Sequence, residues 1–288
     1  MKIIDLHTHG IAGYDTRTTR SGGILKITEI HGSLGVSEIL LAVYPSPVET
    51  MRRHMETIRR AMEEQHSAFK KCSSARILGV YLEGPFINPV KCGALDVRSC
   101  LPPSLTAFRR LVDGYEDIVK VVTVAPELGG AVRLIKKIAD MGITVNMGHA
   151  DATYAEAEAG FRAGAGGITH IFNAMSGFHH REPGIAGFGL MNREVYIEVI
   201  ADPFHLHEKT LEFIFRTKPA DRIMIVSDSV KETGGILSRR GVRDGNGRLL
   251  GGSMSVTESA DRLIRSGLRK DFVMRCITKN PERFLSGD

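Results

Sequence analysis

Residues 119–171 read VKVVTVAPELGGAVRLIKKIADMGITVNMGHADATYAEAEAGFRAGAGGITHI. Three short apolar runs, 119–124, 143–148 and 167–171, are separated by two stretches whose apolar residues recur three and four apart, with glycine at their ends. A run of four to six apolar residues reads as a buried strand, and a three-and-four period reads as an amphipathic helix. The same alternation extends both ways. Upstream, 2–6, 38–44 and 77–82 read as strands; downstream, 195–200 and 222–227 do. Further helices are predicted near 23–34, 47–65, 103–112 and 207–217, with those at 129–141 and 152–164 completing the set. Eight strands alternating with helices predict an α/β fold, a (β/α)8 barrel of the TIM type, as a single domain over 1–288. The Gly-rich polar stretch 229–252 follows the eighth strand and is expected to lie over the barrel mouth as a lid or substrate loop.

Barrels of this kind carry their chemistry at the C-terminal ends of the strands. Six residues of one chemical character fall there: His7 and His9 in DLHTHG, Glu83 in YLEGPF, His149 in MGHA, His170 in THIFNAM and Asp228 in VSDS. Alternate residues of a strand share a face, so His7 and His9 can grip one ion together. Imidazole with carboxylate suits Zn, Fe or a similar divalent ion. A lone His-x-His arises by chance, and a turn cap or a core histidine would explain any one of these residues. Six in register at successive strand ends point to a metal-assisted hydrolase.

The remaining composition excludes other classes. Over 288 residues, 42% hydrophobic and 25% charged content suits a soluble globular chain rather than a disordered one. No apolar run is long enough to span a membrane, and MKIIDLHTHG enters a strand with no signal-peptide pattern. The four cysteines, Cys72, Cys92, Cys100 and Cys276, lack CxxC spacing and read as reduced thiols, hence a cytoplasmic location. The net charge of +5 is modest, and in MRRHMETIRR the basic residues alternate with apolar ones, as on a solvated helix face rather than a nucleic-acid-binding one. His31, His54 and His66 fall on helices and are expected at the surface; Asp15 and Cys92 are assigned no role.

These motifs resemble the amidohydrolase superfamily and, within it, the N-acetylglucosamine-6-phosphate deacetylase family. The resemblance covers essentially the whole chain: DLHTHG, YLEGPFINP, VAPE, MGHADATY, THIFNAMSGFHHREPG, ADPFHLH, SDS, LLGGSM and ITKNPERFL. It implies that Glu83, His149 and His170 hold the main catalytic ion, with His7 and His9 adding a second where both are kept. One or two divalent ions (Zn, Fe or Mn) are expected. Asp228 would act as general base and then general acid. Arg181 would pair with a substrate phosphate, across a homodimer interface if the family's assembly is kept. His205 would contact the sugar-ring hydroxyl, and Asn173 and Ala174 would line the phosphate end. The implied partner is a small amino-sugar phosphate whose acetamide is hydrolysed.

Three departures qualify the resemblance. The family's histidine twelve residues after the metal-binding Glu is Leu95 here, which cannot donate a hydrogen bond to a carbonyl; His179 or His180 is the nearest replacement by motif. The family's ADG-x-H reads ADPFH, with Pro203 stiffening the loop that carries His205. The small β-sandwich built from both chain ends is expected to be absent, leaving a bare barrel. Two alternatives follow: hydrolysis of another N-acyl amino sugar or cyclic amide, and an inactive regulator that binds metal or sugar phosphate.

Overall fold

The computed structural model describes residues 2–67 and 74–287, so the Cys72 thiol lies outside the described residues. Eight strands form one parallel sheet in chain order: β1 (Ile4–Thr8), β2 (Glu38–Val43), β3 (Arg76–Leu82), β4 (Val119–Val124), β5 (Thr144–Met147), β6 (Ala165–Ile168), β7 (Tyr196–Ile200) and β8 (Ile223–Val226). Every predicted strand is present within a few residues of its expected bounds. Closure occurs just beyond β8, where Asp228 N donates to His7 O at 2.9 Å, His9 N donates to Ser229 O at 2.7 Å, and Thr8 bridges Ser229 in parallel.

The helices α1 (Ser21–Ser33), α2 (Val48–Ser67), α3 (Leu105–Val112), α4 (Ala131–Ala139), α5 (Tyr154–Arg162), α6 (Gly184–Met191), α7 (Glu208–Thr217) and α8 (Val256–Arg265) each follow one strand. The sequence pattern misses α6 because GIAGFGLM has no polar face. All but one of its residues are buried, so its glycines serve close packing and not periodicity. Also beyond that pattern are α8, α9 (Lys270–Cys276) and α10 (Lys279–Ser286). For α8 a signal exists: Ser255 and Glu258 form a reciprocal capping box. At the barrel floor Ile4 N donates to Ile277 O at 2.8 Å, and Phe284 of α10 plugs the lumen beside Ile4, Tyr196 and Met224.

Two apolar layers result from the period-two alternation of each strand. Leu40, Ala42, Tyr81, Val121, Ile200, Met224 and Val226 fill the lumen, whereas Ile39, Leu41, Val80, Leu82, Val145, Ile197 and Ile225 face the helices. In β1, Ile4 and Leu6 belong to the lumen. Continued alternation would turn Thr8 inward and both histidines towards the helices. A register shift between Asp5 and Thr8 resets the strand. His7 then stacks on Tyr81, with ring centroids 4.4 Å apart, while Thr8 Oγ1 meets His31 Nε2 of α1 at 3.1 Å.

Two histidines expected at the surface are buried. His31 lies on the inner face of α1, bonded to Thr8, and His54 falls in line with Met51, Met55 and Ile58 on the inner face of α2. His66 is exposed. Among the basic residues of MRRHMETIRR, Arg52 donates to the carbonyls of Arg110, Leu111 and Asp113, and Arg59 pairs with Asp117. The stretch after β8 carries a two-stranded ribbon, Val242–Arg243 with Leu249–Gly251, over the mouth.

Because Phe284 fills the lumen floor without a polar partner, Phe284→Ala is expected to cost about 3–5 kcal/mol in urea unfolding, as for other buried aromatic truncations.

Candidate metal centre

All six strand-end residues converge. Glu83 follows Tyr81 by two positions and so shares its inward face. Its Oε1 lies 3.1 Å from His149 Nε2 and 3.1 Å from His170 Nε2, and those two nitrogens are 3.1 Å apart. Its Oε2 lies 3.1 Å from His9 Nε2. His7 Nε2 and His9 Nε2 are 3.2 Å apart, each is 3.6 Å from Asp228 Oδ1, and His7 Nε2 is 3.5 Å from Glu83 Oε1. The carboxylate of Glu83 therefore stands between two donor sets, Glu83–His149–His170 and His7–His9–Glu83–Asp228, each with its ligand atoms within 4.8 Å of one another.

The donor chemistry fits a divalent cation. His149 Nδ1 donates to Lys91 O at 2.9 Å, which leaves Nε2, facing the Glu83 carboxylate, as the ring nitrogen that can offer a lone pair to an ion. With Nδ1 of His7 donating to Glu198 Oε2 at 3.3 Å, its Nε2 likewise faces His9 Nε2. Lone pairs converging this closely repel unless a proton or a cation lies between them. Donors about 2.1 Å from a tetrahedral ion are about 3.4 Å apart, close to the separations above.

Electrostatics agree. Burial pushes His7 down to about 4 and lowers His9 and His170, which keeps these rings neutral, the form that ligates. Burial opposes charge on Glu83, yet His9, His149 and His170 hold it well below the usual carboxylate range. Asp228 is pushed up by burial and by the nearby Glu83 and Glu198 carboxylates. A bound cation would offset that repulsion.

The loops that turn these side chains inward are strained. His149, His170 and Asp228 have φ of 49°, 27° and 46°, the left-handed region that non-glycine residues avoid. Each is held by main-chain bonds: Asn88 N to His149 O at 2.9 Å, Asn173 N to His170 O at 3.0 Å, and Gly252 N to Asp228 O at 2.7 Å. Gly252 must be glycine, since a Cβ there would sit 1.8 Å from Ser227 O.

A cavity of about 150 Å³ opens above the cluster, lined by Asn173, Ala174, His205, Leu95, Tyr44 and the ribbon residues Leu249–Gly251, along with His9, Glu83, His149, His170 and Asp228. His205 is fixed through Nδ1, 3.0 Å from Asp202 Oδ2. Asp202 also accepts from Ser253 N and Oγ, and despite burial these bonds hold it well below the usual range. Asn173 Nδ2 is turned back on His170 O and Ile171 O. Arg181 is exposed and does not line this cavity; neither do His179 and His180, which are exposed on the same loop. A larger cavity, about 860 Å³, shares Tyr44, Ala94, Leu95 and Leu250 with the first and carries Arg17, His54, Cys92, Lys231 and Arg248.

The sequence reading missed a supporting shell. Glu198, in YIEVI, is fully buried and pushed up to about 8 by burial; a carboxylate inside an apolar strand was the available signal. Asp5, in IIDLHTHG, carries the same signal: it is buried, is pushed up to about 6, and accepts from Ser227 N. Tyr44 stacks on His9 at 3.8 Å between centroids. Arg17 lies over Tyr44 and is clamped by Asp15, which thus braces the site at one remove.

An α/β barrel with a buried His/Glu/Asp cluster suited to a divalent metal at its C-terminal rim is what fold and site define. Residues 2–286 match the Amidohydrolase family model, and the chain belongs to that family. It is 29% identical over 267 residues to the N-acetylglucosamine-6-phosphate deacetylase of Lysinibacillus sphaericus, covering 92% of this chain and 65% of that protein. It is 28% identical to the N-acetylgalactosamine-6-phosphate deacetylase of Escherichia coli O157:H7, covering 99% of this chain and 77% of the relative. The crystal structure of N-acetylglucosamine-6-phosphate deacetylase from Thermotoga maritima superposes with a TM-score of 0.86 at 27% identity, over 99% of this chain and 78% of that one. The chain thus spans slightly less than two thirds of the Lysinibacillus relative's length.

Since Glu83 faces both donor sets, Glu83→Gln is expected to lower bound divalent metal to well below one equivalent by elemental analysis. Full retention of metal would contradict the assignment of these donors.

Proposed function

We propose that this chain hydrolyses the acetamide of N-acetylglucosamine-6-phosphate to glucosamine-6-phosphate and acetate. The observation that carries the reading is the donor cluster around Glu83, open to a cavity that also presents Asp228 and His205. The deacetylase relatives named above supply the substrate class. The span 1–288 would act as one hydrolase domain. Glu83, His149 and His170 would hold one divalent ion, and His7 and His9 a second, with Zn, Fe and Mn all compatible with imidazole and carboxylate donors. Such a cation supplies Lewis acidity and lowers the pKa of water from about 15.7 towards about 7.

The chain's own residues do the rest. Asp228 takes the proton of the attacking water and then delivers it to the departing amine, which leaves poorly unless protonated. His205, held through Nδ1 by Asp202, keeps Nε2 for a sugar hydroxyl. Asn173 and Ala174 flank the phosphate end. Arg181, exposed on its loop, would reach the phosphate in the cavity of a second copy, so the active form would be a homodimer. No helix among the described residues is long and apolar enough to cross a membrane. Free Cys92, Cys100 and Cys276 suit a reducing cytoplasm. One observation favours a second reading: Leu95 stands in the cavity wall without a donor, as an altered N-acyl amino-sugar substrate would require.

Asp228→Asn should lower kcat at least about 100-fold while the ion on Glu83, His149 and His170 stays bound, measured by acetate release and metal content together. An unchanged kcat removes Asp228 from the reaction.

Arg181→Ala should raise KM for the 6-phosphorylated sugar far more than for its unphosphorylated analogue. Mixing Arg181→Ala with Asp228→Asn subunits should restore part of the activity, because one site of the hybrid regains both groups. Equal effects on the two substrates would favour the second reading.

A further inference from the structure

We propose that Glu198 is the positioning residue of the His7–His9 half of the centre, so that this half depends on Glu198 for its ion and the Glu83–His149–His170 half does not. The inference rests on the two-ion reading given above.

Glu198 sits on β7, fully buried, directly beneath the cluster. Among the described residues the one basic side chain within 4.0 Å of its carboxyl oxygens is His7. Oε2 faces His7 Nδ1 at 3.3 Å and takes the His170 backbone N–H at 3.4 Å, while Oε1 accepts from Asn146 Nδ2 at 2.8 Å. A carboxyl group placed in a barrel lumen is costly to bury and, even with hydrogen-bond partners, gains little for folding. Its placement makes sense if it fixes a ring. Tyr81 holds the face of His7 by stacking, but stacking leaves the imidazole free to flip in its plane and to change tautomer. Glu198 removes both freedoms: with the proton on Nδ1, Nε2 is bare and points at His9. The other half is oriented differently. His149 is set by a main-chain carbonyl, Lys91 O, and His170 Nδ1 has no hydrogen-bond partner among the described residues. A carboxylate behind a ligating imidazole commonly contributes about 10- to 100-fold in metal affinity.

The neighbours also define a conservative control. Asn146 Oδ1 is buried and has no hydrogen-bond partner among the described residues. In Glu198→Gln the new NH2 group can be satisfied by turning the Asn146 amide over, which replaces the present Asn146 Nδ2 to Tyr81 Oη bond of 3.0 Å with one donated by the tyrosine and leaves glutamine Oε1 to accept from His7 Nδ1. In Glu198→Leu no acceptor remains.

The test uses the full chain as wild type, Glu198→Gln, Glu198→Leu and His7→Ala, each loaded with Zn(II), dialysed against stepped chelator and counted by elemental analysis. Two equivalents are expected in the wild type and in Glu198→Gln. Glu198→Leu and His7→Ala should each keep one tightly held equivalent and bind the second about 10- to 100-fold more weakly. Two equivalents at wild-type affinity in Glu198→Leu would overturn the inference, and so would parallel loss of both ions in folded Glu198→Leu and Glu198→Gln. A wild type that holds one equivalent overturns the two-ion reading, and this inference with it. Should Glu198→Leu fail to fold, imidazole 15N spectra of the Zn-loaded wild type decide the point: His7 is expected as the Nδ1–H tautomer, and the Nε2–H tautomer would refute the role.

Discussion

One carboxylate at the rim of the barrel, Glu83, faces four imidazoles with its two oxygens, and the rest of the rim is arranged around the repulsion this would create without a cation. The His149–His170 and His7–His9 nitrogen pairs approach to 3.1 and 3.2 Å. Neutral rings so close together need a proton or a cation between them, and burial keeps His7, His9 and His170 neutral.

Holding that geometry costs local stability, which the fold supplies elsewhere. Left-handed backbone at His149, His170 and Asp228 costs of order 1–3 kcal/mol for each residue. Main-chain hydrogen bonds from neighbouring loops stabilise each turn, and barrel closure passes through three of the site residues, His7, His9 and Asp228. The break between β8 and β1 is thus also where the His7–His9 pair meets Asp228. A mutation that loosens closure would move three functional side chains together.

Leu95 and Tyr44 stand where the small cavity above the cluster meets a larger one carrying Arg17, Lys231 and Arg248. Relatives acting on two different N-acetylated hexosamine phosphates match this chain at nearly equal identity.

The barrel and the six rim residues were legible in the sequence for one reason. Period-two and three-and-four alternation is a local property, and a (β/α)8 barrel places every strand's C-terminal end on one face. Once the strands were assigned, His7, His9, Glu83, His149, His170 and Asp228 all fell at that one end of the barrel. The supporting shell was less legible. Glu198 and Asp5 were visible as acids within apolar strands, but the partner of a buried acid depends on which strands lie opposite each other across the lumen. The burial of His31 and His54 was hidden because a histidine on a helix carries no mark of which face turns inward. Most of all, local alternation in β1 points His7 and His9 towards the helices. Only a register shift against β2, set by pairing between segments some thirty residues apart, turns them into the barrel. The sequence by itself determined which residues could hold a metal; the tertiary structure decided that they face one another, because side-chain direction at a strand end is fixed by the neighbouring strand.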